Sequence, residues 1–349
     1  MTDCTSRFYP TMEILAHHSL QPYNTFGMAV SARHFARING VTDLQELLTD
    51  ASWTATPRMV LGGGSNVLFT RNFDGIVLQI ALPGITVTED HPDHLLLKVG
   101  AGENWHRLVL FCVQHGYAGI ENLSLIPGNV GAAPMQNIGA YGVELKAVFH
   151  ELEAVNVETG ALETFSAEAC EFGYRTSVFK TRLRNQRIIT SVTLRLQKTP
   201  SFNTSYGAIE KELEAMGVTD LSIAAISQAV CNIRSSKLPD PAEIGNAGSF
   251  FKNPVIDNAH FEDLKRTYPE IVGYPNGTDH TKVAAGWLIE RAGWKGKRID
   301  NYGVHTRQAL VLVNYGGAKG QQILDLSSDI MASIHEQFGI ALEREVNIV

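Results

Sequence analysis

Three side chains in this sequence sit in settings suited to handling a charge or a proton. Arg175 lies in EFGYRTSVFK (Glu171 to Lys180), among aromatic and small polar residues. A guanidinium stays charged when desolvated, so such an arginine can hold a carboxylate or a developing enolate. It can equally lie over Tyr174 or Phe172 at a surface. Ser249 lies in GNAGSFFKNP (Gly245 to Pro254), after Asn246, Ala247 and Gly248 and before Phe250 and Phe251. Small residues followed by bulky ones would present one hydroxyl in a dry pocket. The segment is not the G-x-S-x-G elbow of serine hydrolases, because Phe251 stands at the second glycine, and no His/Asp pairing is identifiable. An ordinary turn serine fits the same residues. Glu345, in LEREV near the end of the sequence, is flanked by Leu342 and Val346, which reads as a tucked-in strand rather than a solvated end. Lys237 in SSKLPDP and Tyr206 in NTSYG are candidates for phosphate and substrate contact, with plain surface roles as the alternative.

Two glycine-rich stretches accompany them: LGGGSNVL (Leu61 to Leu68) and IPGNVGAAPMQNIGAYG (Ile126 to Gly142), both without a charged residue. Glycine accepts positive φ and lets backbone N–H groups approach a ligand. Two such stretches in the first half of the chain suggest one large phosphorylated or planar cofactor held from two sides. Neither LGGGSN nor GAGENW (Gly100 to Trp105) is the dinucleotide fingerprint G-x-G-x-x-G, since Val67 and Trp105 stand where the third glycine belongs. There is no Walker A pattern. His91 and His94 in HPDH read as a turn between strands, and no metal is expected.

The elements that must position these residues are legible in outline. Arg58 to Leu61, Ile76 to Ile80, Leu95 to Val99 and Ile188 to Leu196 read as strands, the last with Val192, Leu194 and Leu196 on one face and Thr193 and Arg195 on the other. Asn104 to His115 carries Trp105, Leu108, Val109 and Cys112 at helical spacing, closed by Gly116. Ser222 to Arg234 is a second amphipathic helix, with Ser222 as its cap and Ile223, Ile226, Val230 and Ile233 on one face. Val283, Trp287 and Leu288 mark a third. Ala309 to Asn314 reads as a strand leading to a final helix with Ile323, Leu326, Ile330, Ile334 and Phe338. The turn-rich stretch Lys198 to Gly207 is the best boundary that composition offers.

The 349 residues are 44% hydrophobic and 19% charged, enough for two domains with full cores. Net charge is −7 and no basic block occurs, so neither a nucleic acid nor a membrane surface is expected as partner. No apolar run reaches the roughly 18 residues of a membrane span. The four cysteines, Cys4, Cys112, Cys170 and Cys231, form no CxxC pair, which fits a reducing cytoplasm. MTDCTSRFYPTMEIL lacks the pattern of a secretory signal and reads as a tail, with Met12 an alternative start.

In order along the chain, NTFG (Asn24 to Gly27), LGGGSN, GAGENW, the IPG…QNIGAYG block, FGYR–SVFK, KLPDP, GNAGSFFKNP, AAGWLIE, VHTRQALVLVN and LEREV resemble the UDP-N-acetylenolpyruvoylglucosamine reductase family. The resemblance runs from about Leu20 to Val349. It implies an α+β protein: residues 1–19 as tail, residues 20–200 as a two-lobed FAD-binding domain of the vanillyl-alcohol-oxidase (PCMH) type, and residues 201–349 as a smaller α+β substrate-binding domain. It implies non-covalent FAD, held by Leu61, Gly62, Gly63, Gly64, Ser65 and Asn66 and by Asn129, Gly131, Gln136, Asn137, Gly139, Ala140 and Tyr141. NADPH would reduce the flavin and leave, and UDP-N-acetylglucosamine enolpyruvate would follow into the same site. Arg175 and Glu345 are then implied to stabilise the enolic intermediate and Ser249 to protonate C2. Tyr206, Lys237, Asn253 and Gln308 are implied to contact the UDP moiety, with Tyr206 on a loop like that of the subclass with a substrate-covering tyrosine. A cytoplasmic monomer is expected. The sequence departs from the family at Arg344, where many relatives have proline, and at Asn347, where some have arginine; both flank Glu345. An FAD-dependent sugar or alcohol oxidase of the same fold is one rival, although Gly62 to Asn66 offers no histidine to tether a flavin. A non-catalytic nucleotide-sugar sensor is the other.

Overall fold

The computed structural model describes residues 12–349. Two compact units result, and both are discontinuous. The first comprises the described residues up to His18, then Ala32–Gly63 and Asp74–Ser236; the second comprises Ser19–Ser31, Gly64–Phe73 and Lys237–Val349.

In the first unit a five-stranded antiparallel sheet runs in the order Leu162–Ser166, Phe149–Asn156, Arg187–Gln197, His94–Gly100, Ile85–Asp90. In the central strand Arg187–Gln197, Thr193, expected on a polar face, is buried with Val192 and Leu194, whereas Arg195 on that face is exposed. A four-stranded sheet has the order Ile14–Ser19, Ser31–Ile38, Phe73–Ile80, Arg58–Leu61. The helix Trp105–His115 begins at Asn104, whose side chain accepts the Arg107 N–H, and ends at Gly116 in the left-handed region. Its buried face (Trp105, Leu108, Val109, Cys112) joins the core formed with both sheets.

The expected boundary at residue 200 gives way here. Gly207–Ala215 and Ile223–Lys237 pack through Ile209, Leu213, Ile226, Ala229, Val230 and Ile233, and Tyr141 and Phe202 pack against that cluster. This contact holds both helices to the first unit, and the polar turn before them is only a loop. The expected tail also shortens: residues 1–11 lie outside the described residues, but Ile14–Ser19 is a sheet strand.

The second unit has two three-stranded antiparallel sheets: Val255–Asp257, His280–Val283, Gly273–Asn276; and Arg298–Ile299, Tyr302–Val304, Leu312–Asn314. Val283, expected on a helix, ends a strand; the helix is Ala285–Arg291. The long helix Gly320–Phe338 buries Ile323, Leu326, Ile330, Ile334 and Phe338 along one stripe and ends at left-handed Gly339.

Three histidines, His34, His106 and His305, have their pKa values lowered, chiefly by burial and then by neighbouring arginines. Their neutral forms are the ones the fold accommodates. Above the ordinary histidine value near 6.5 both states are neutral; below it the unfolded chain takes up protons that the folded chain refuses. Stability is therefore expected to fall as pH drops below about 6.5, modestly at each ring because solvent screens these partly exposed groups. Urea denaturation at pH 7.5, 6.5 and 5.5 checks this. His106→Asn, which retains an acceptor for the Leu125 N–H (3.0 Å from His106 Nδ1), should flatten the slope.

Candidate functional site

In the first unit, Leu61 ends the strand Arg58–Leu61, which runs parallel to Phe73–Ile80 and delivers Gly62 and Gly63 against the second glycine stretch. A Cβ on Gly63 would lie 2.8 Å from Asn129 Oδ1 and 3.1 Å from Gly128 Cα, so the two stretches meet backbone to backbone. The second stretch is anchored in turn by Val130 N–H on Glu103 O (2.8 Å), Gly131 N–H on Ala101 O (2.9 Å) and Asn129 Nδ2 on Gly102 O (3.1 Å). The result is two uncharged loops, rich in amide groups and without a carboxylate of their own, in contact with each other. That composition fits a pyrophosphate-linked dinucleotide carrying a planar ring.

Gln136 closes the 3-10 turn Pro134–Gln136, and Asn137 follows in the left-handed region at φ 43°. Asn137 is buried, and its amide is spent on protein: Nδ2 donates to Glu144 Oε2 and Gly173 O (both 3.2 Å), while Oδ1 accepts the Lys146 N–H (3.0 Å). Its side chain thus orders the block that carries Gln136, Gly139, Ala140 and Tyr141. Gly139–Ala140 pairs with Val143–Glu144, with Tyr141 (φ 49°) and Gly142 (φ 80°) in the turn.

Arg175 is itself left-handed at φ 54°, and its Nη2 donates to Gly139 O at 2.8 Å. Its guanidinium also lies 5.7 Å from the Tyr174 ring centroid, so the surface-stacking alternative is realised together with an anchored, half-buried cation. A residue held in this sparsely populated region by its surroundings is the kind of strain found at functional sites. Tyr206 meets Tyr141 edge to face, 5.4 Å between centroids, and stands at the start of Gly207–Ala215.

One charged residue escaped the sequence reading. Arg234 hydrogen-bonds Tyr141, and its Nε donates to Leu125 O at 3.2 Å. Burial pulls its pKa down, and the positive charge of Arg175 adds to that pull. Burial likewise pushes the Tyr141 phenol up, against the opposing influence of Arg234. Two guanidiniums and a phenol therefore converge, a set suited to an anionic group. The available signal was the spacing Ile226, Val230, Arg234: a four-residue step puts the arginine in the apolar stripe of its helix.

In the second unit, Gly64 is wedged under Tyr23: its Cβ would lie 1.9 Å from Tyr23 O. Ser65 and Asn66 follow it. Asn24 is structural, bonding Leu20 O, Met28 O and Met28 N–H. Ser249 follows Gly248 (φ 69°), whose N–H donates to Asn246 Oδ1 at 2.9 Å. Ser249 bridges Val311, and the Phe250 N–H donates to Leu310 O at 2.8 Å. On the other side, the Glu345 N–H donates to Phe250 O at 2.8 Å, and Phe251 bridges Arg344. The backbone thus sets Ser249 and Glu345 on neighbouring segments. Ser249 is exposed, and Phe250 and Phe251 are buried in the core instead of walling its hydroxyl. The dry setting expected from those rings is corrected accordingly: successive bulky side chains in a paired segment serve packing first.

Asn253 Oδ1 accepts the Ala285 N–H at 3.0 Å, which orients its amide with NH₂ as the donor group. Gln308 Oε1 accepts the Leu310 N–H (3.3 Å) and would lie 3.4 Å from a Cβ on Gly286, so both amides gather at the start of Ala285–Arg291. Lys237 is exposed at the end of Ile223–Lys237. His91 and His94 stack at 4.6 Å on a turn between strands and pair with Glu89 and Asp93.

Comparison with known proteins agrees with this arrangement. The FAD binding domain matches residues 32–166, and the C-terminal domain of UDP-N-acetylenolpyruvoylglucosamine reductase matches residues 240–349. Curated relatives named UDP-N-acetylenolpyruvoylglucosamine reductase include one from Amoebophilus asiaticus, 51% identical over 97% of this chain and 100% of its own. Another, from Pseudomonas putida, is 49% identical over 95% of this chain and 97% of its own. Among solved structures, the MurB reductase of Thermus caldophilus superimposes with a TM-score of 0.66 at 24% identity, covering 98% of this chain and 99% of that one. The expected α+β class, an FAD-binding domain with a second, smaller domain, is the fold of this chain.

Proposed function

The chain belongs to the UDP-N-acetylenolpyruvoylglucosamine reductase family, and from that premise we propose that it reduces UDP-N-acetylglucosamine enolpyruvate to UDP-N-acetylmuramate for peptidoglycan precursor synthesis. The observation that carries this reading is near-full-length identity of about half to curated reductases, joined to an FAD-binding domain and the reductase's own C-terminal domain. When bound, FAD supplies a hydride, drawn from NADPH, to C3 of the enolpyruvyl group. The two glycine loops hold that cofactor through backbone amides.

Addition at C3 drives negative charge through C2 onto the substrate carboxylate. Arg175 meets that charge as a fixed cation, and Glu345, protonated at that moment, donates a hydrogen bond to it. Ser249 Oγ gives its proton to C2, completing the lactyl ether, and recovers a proton from solvent; with the hydride this makes one NADPH and one proton consumed per product. Asn253, Gln308 and Lys237 bind the UDP moiety, the lysine as a point charge on phosphate. Tyr206 covers the substrate. The protein acts in the cytoplasm as a monomer. Its described cysteines are free, and no described helix is long and apolar enough to cross a membrane.

The purified protein is expected to be yellow and to oxidise NADPH only when UDP-N-acetylglucosamine enolpyruvate is present. Rapid consumption of oxygen by the reduced protein without that substrate would establish an oxidase instead. Binding of UDP-sugar with no NADPH consumption would establish a sensor.

A further inference from the structure

The segment around Glu345 is tied down from both flanks. Arg344 Nε donates to Ser327 Oγ at 2.8 Å and Nη2 to Ser328 Oγ at 2.7 Å, both on the helix Gly320–Phe338. Each hydroxyl in turn donates to Leu324 O, at 2.6 and 3.1 Å, so both present a lone pair to the guanidinium. On the other flank, Asn347 Nδ2 donates to Asn66 O at 2.9 Å, while Asn66 Nδ2 returns a bond to the Glu345 carbonyl at 3.3 Å. Asn347–Ile348 pairs in parallel with Val67–Leu68. With the Glu345 N–H on Phe250 O, both backbone groups of Glu345 are engaged by segments distant in sequence.

We propose that Arg344 and Asn347 are positioning residues that hold the Glu345 carboxyl in its working place. The case rests on the assignment of Glu345 given above. Arg344 is half-buried, burial pulls its pKa down, and its partners are two hydroxyls rather than a carboxylate. Desolvating a cation against neutral partners is a poor route to stability, whereas two donors in a rigid fork fix direction well. The gain is geometric: it constrains the residue next to a carboxyl whose reaction tolerates little displacement, a misplacement of about 1 Å being enough to cost on the order of 10²-fold in rate.

The test is Arg344→Met in the holoenzyme, read by half-reactions. Flavin reduction by NADPH should be unchanged. Reoxidation by UDP-N-acetylglucosamine enolpyruvate should slow about 10- to 100-fold, with its pH profile shifted. Ser327→Ala with Ser328→Ala should reproduce this, and adding Arg344→Met to that pair should change nothing more, as a shared contact requires. Asn347→Ala should act in the same half-reaction. Independently of turnover, amide exchange at Glu345 and Asn347 should quicken at least about 10-fold in Arg344→Met without earlier global unfolding. A wild-type protein inert toward the enolpyruvyl substrate would sink the functional reading, yet unchanged amide exchange would still overturn the positioning role. So would wild-type reoxidation kinetics in Arg344→Met, or a parallel loss of both half-reactions with thermal stability.

Discussion

Ser249→Ala is expected to leave flavin reduction by NADPH intact while slowing reoxidation by UDP-N-acetylglucosamine enolpyruvate by about 10²- to 10⁴-fold, the usual contribution of a positioned general acid. The selectivity follows from where the proton is needed. Hydride delivery to the cofactor involves no proton on the substrate, so a missing hydroxyl is silent there. The second half-reaction must place a proton on C2, and the donor proposed for it is the Ser249 hydroxyl, which follows a turn where Asn246 Oδ1 accepts the Gly248 N–H at 2.9 Å. Because Ser249 is exposed and only its Oγ is removed, folding should change by no more than about 0.5 kcal/mol. Stopped-flow absorbance of the flavin separates the two halves. Near-normal reoxidation would take the proton step away from Ser249, and solvent or another side chain would have to supply it.

What could be read from the sequence was local. The helix Trp105–His115, with Asn104 and Gly116 at its ends, declares itself through capping chemistry and a four-residue apolar rhythm. The strand Arg58–Leu61 shows as a short run closed by the glycines that follow it, and the final helix as an apolar stripe at helical spacing. What could not be read depended on partners far along the chain. The helices Gly207–Ala215 and Ile223–Lys237 join the first unit because they pack on each other and on Tyr141, more than sixty residues earlier. No turn-rich loop announces that. Arg234 was hidden for the same reason: only the fold shows Leu125 O and the Tyr141 phenol around it. Phe250 and Phe251 looked like the walls of a pocket, and pairing on both sides of their segment made them core.

The largest loss of stability is expected from Gly64→Ala, and Gly27→Ala shows how to interpret it. Both glycines lie in the second unit and are left-handed, at φ 63° and 67°. An alanine there carries a conformational cost of about 1–2 kcal/mol at either site. At Gly27 that is the whole cost, because a Cβ would meet nothing within 4 Å. At Gly64 the Cβ would lie 1.9 Å from Tyr23 O, 2.8 Å from Tyr23 C and 2.9 Å from Asn24 Cα, all backbone atoms that cannot swing away. The loop cannot retreat freely either, since Gly64 O accepts both the Thr25 N–H at 3.1 Å and the Thr25 hydroxyl at 3.3 Å. Separating the two segments would break those bonds, at about 0.5–1.5 kcal/mol net each, and disturb the buried Asn24 network behind them. Gly64→Ala should therefore lose roughly 3 kcal/mol or more, against about 1–2 kcal/mol for Gly27→Ala. Urea midpoints followed by circular dichroism and by release of flavin absorbance give both values. Equal losses at the two sites would mean that the backbone conformation alone, and not the contact with Tyr23, makes glycine necessary in this loop.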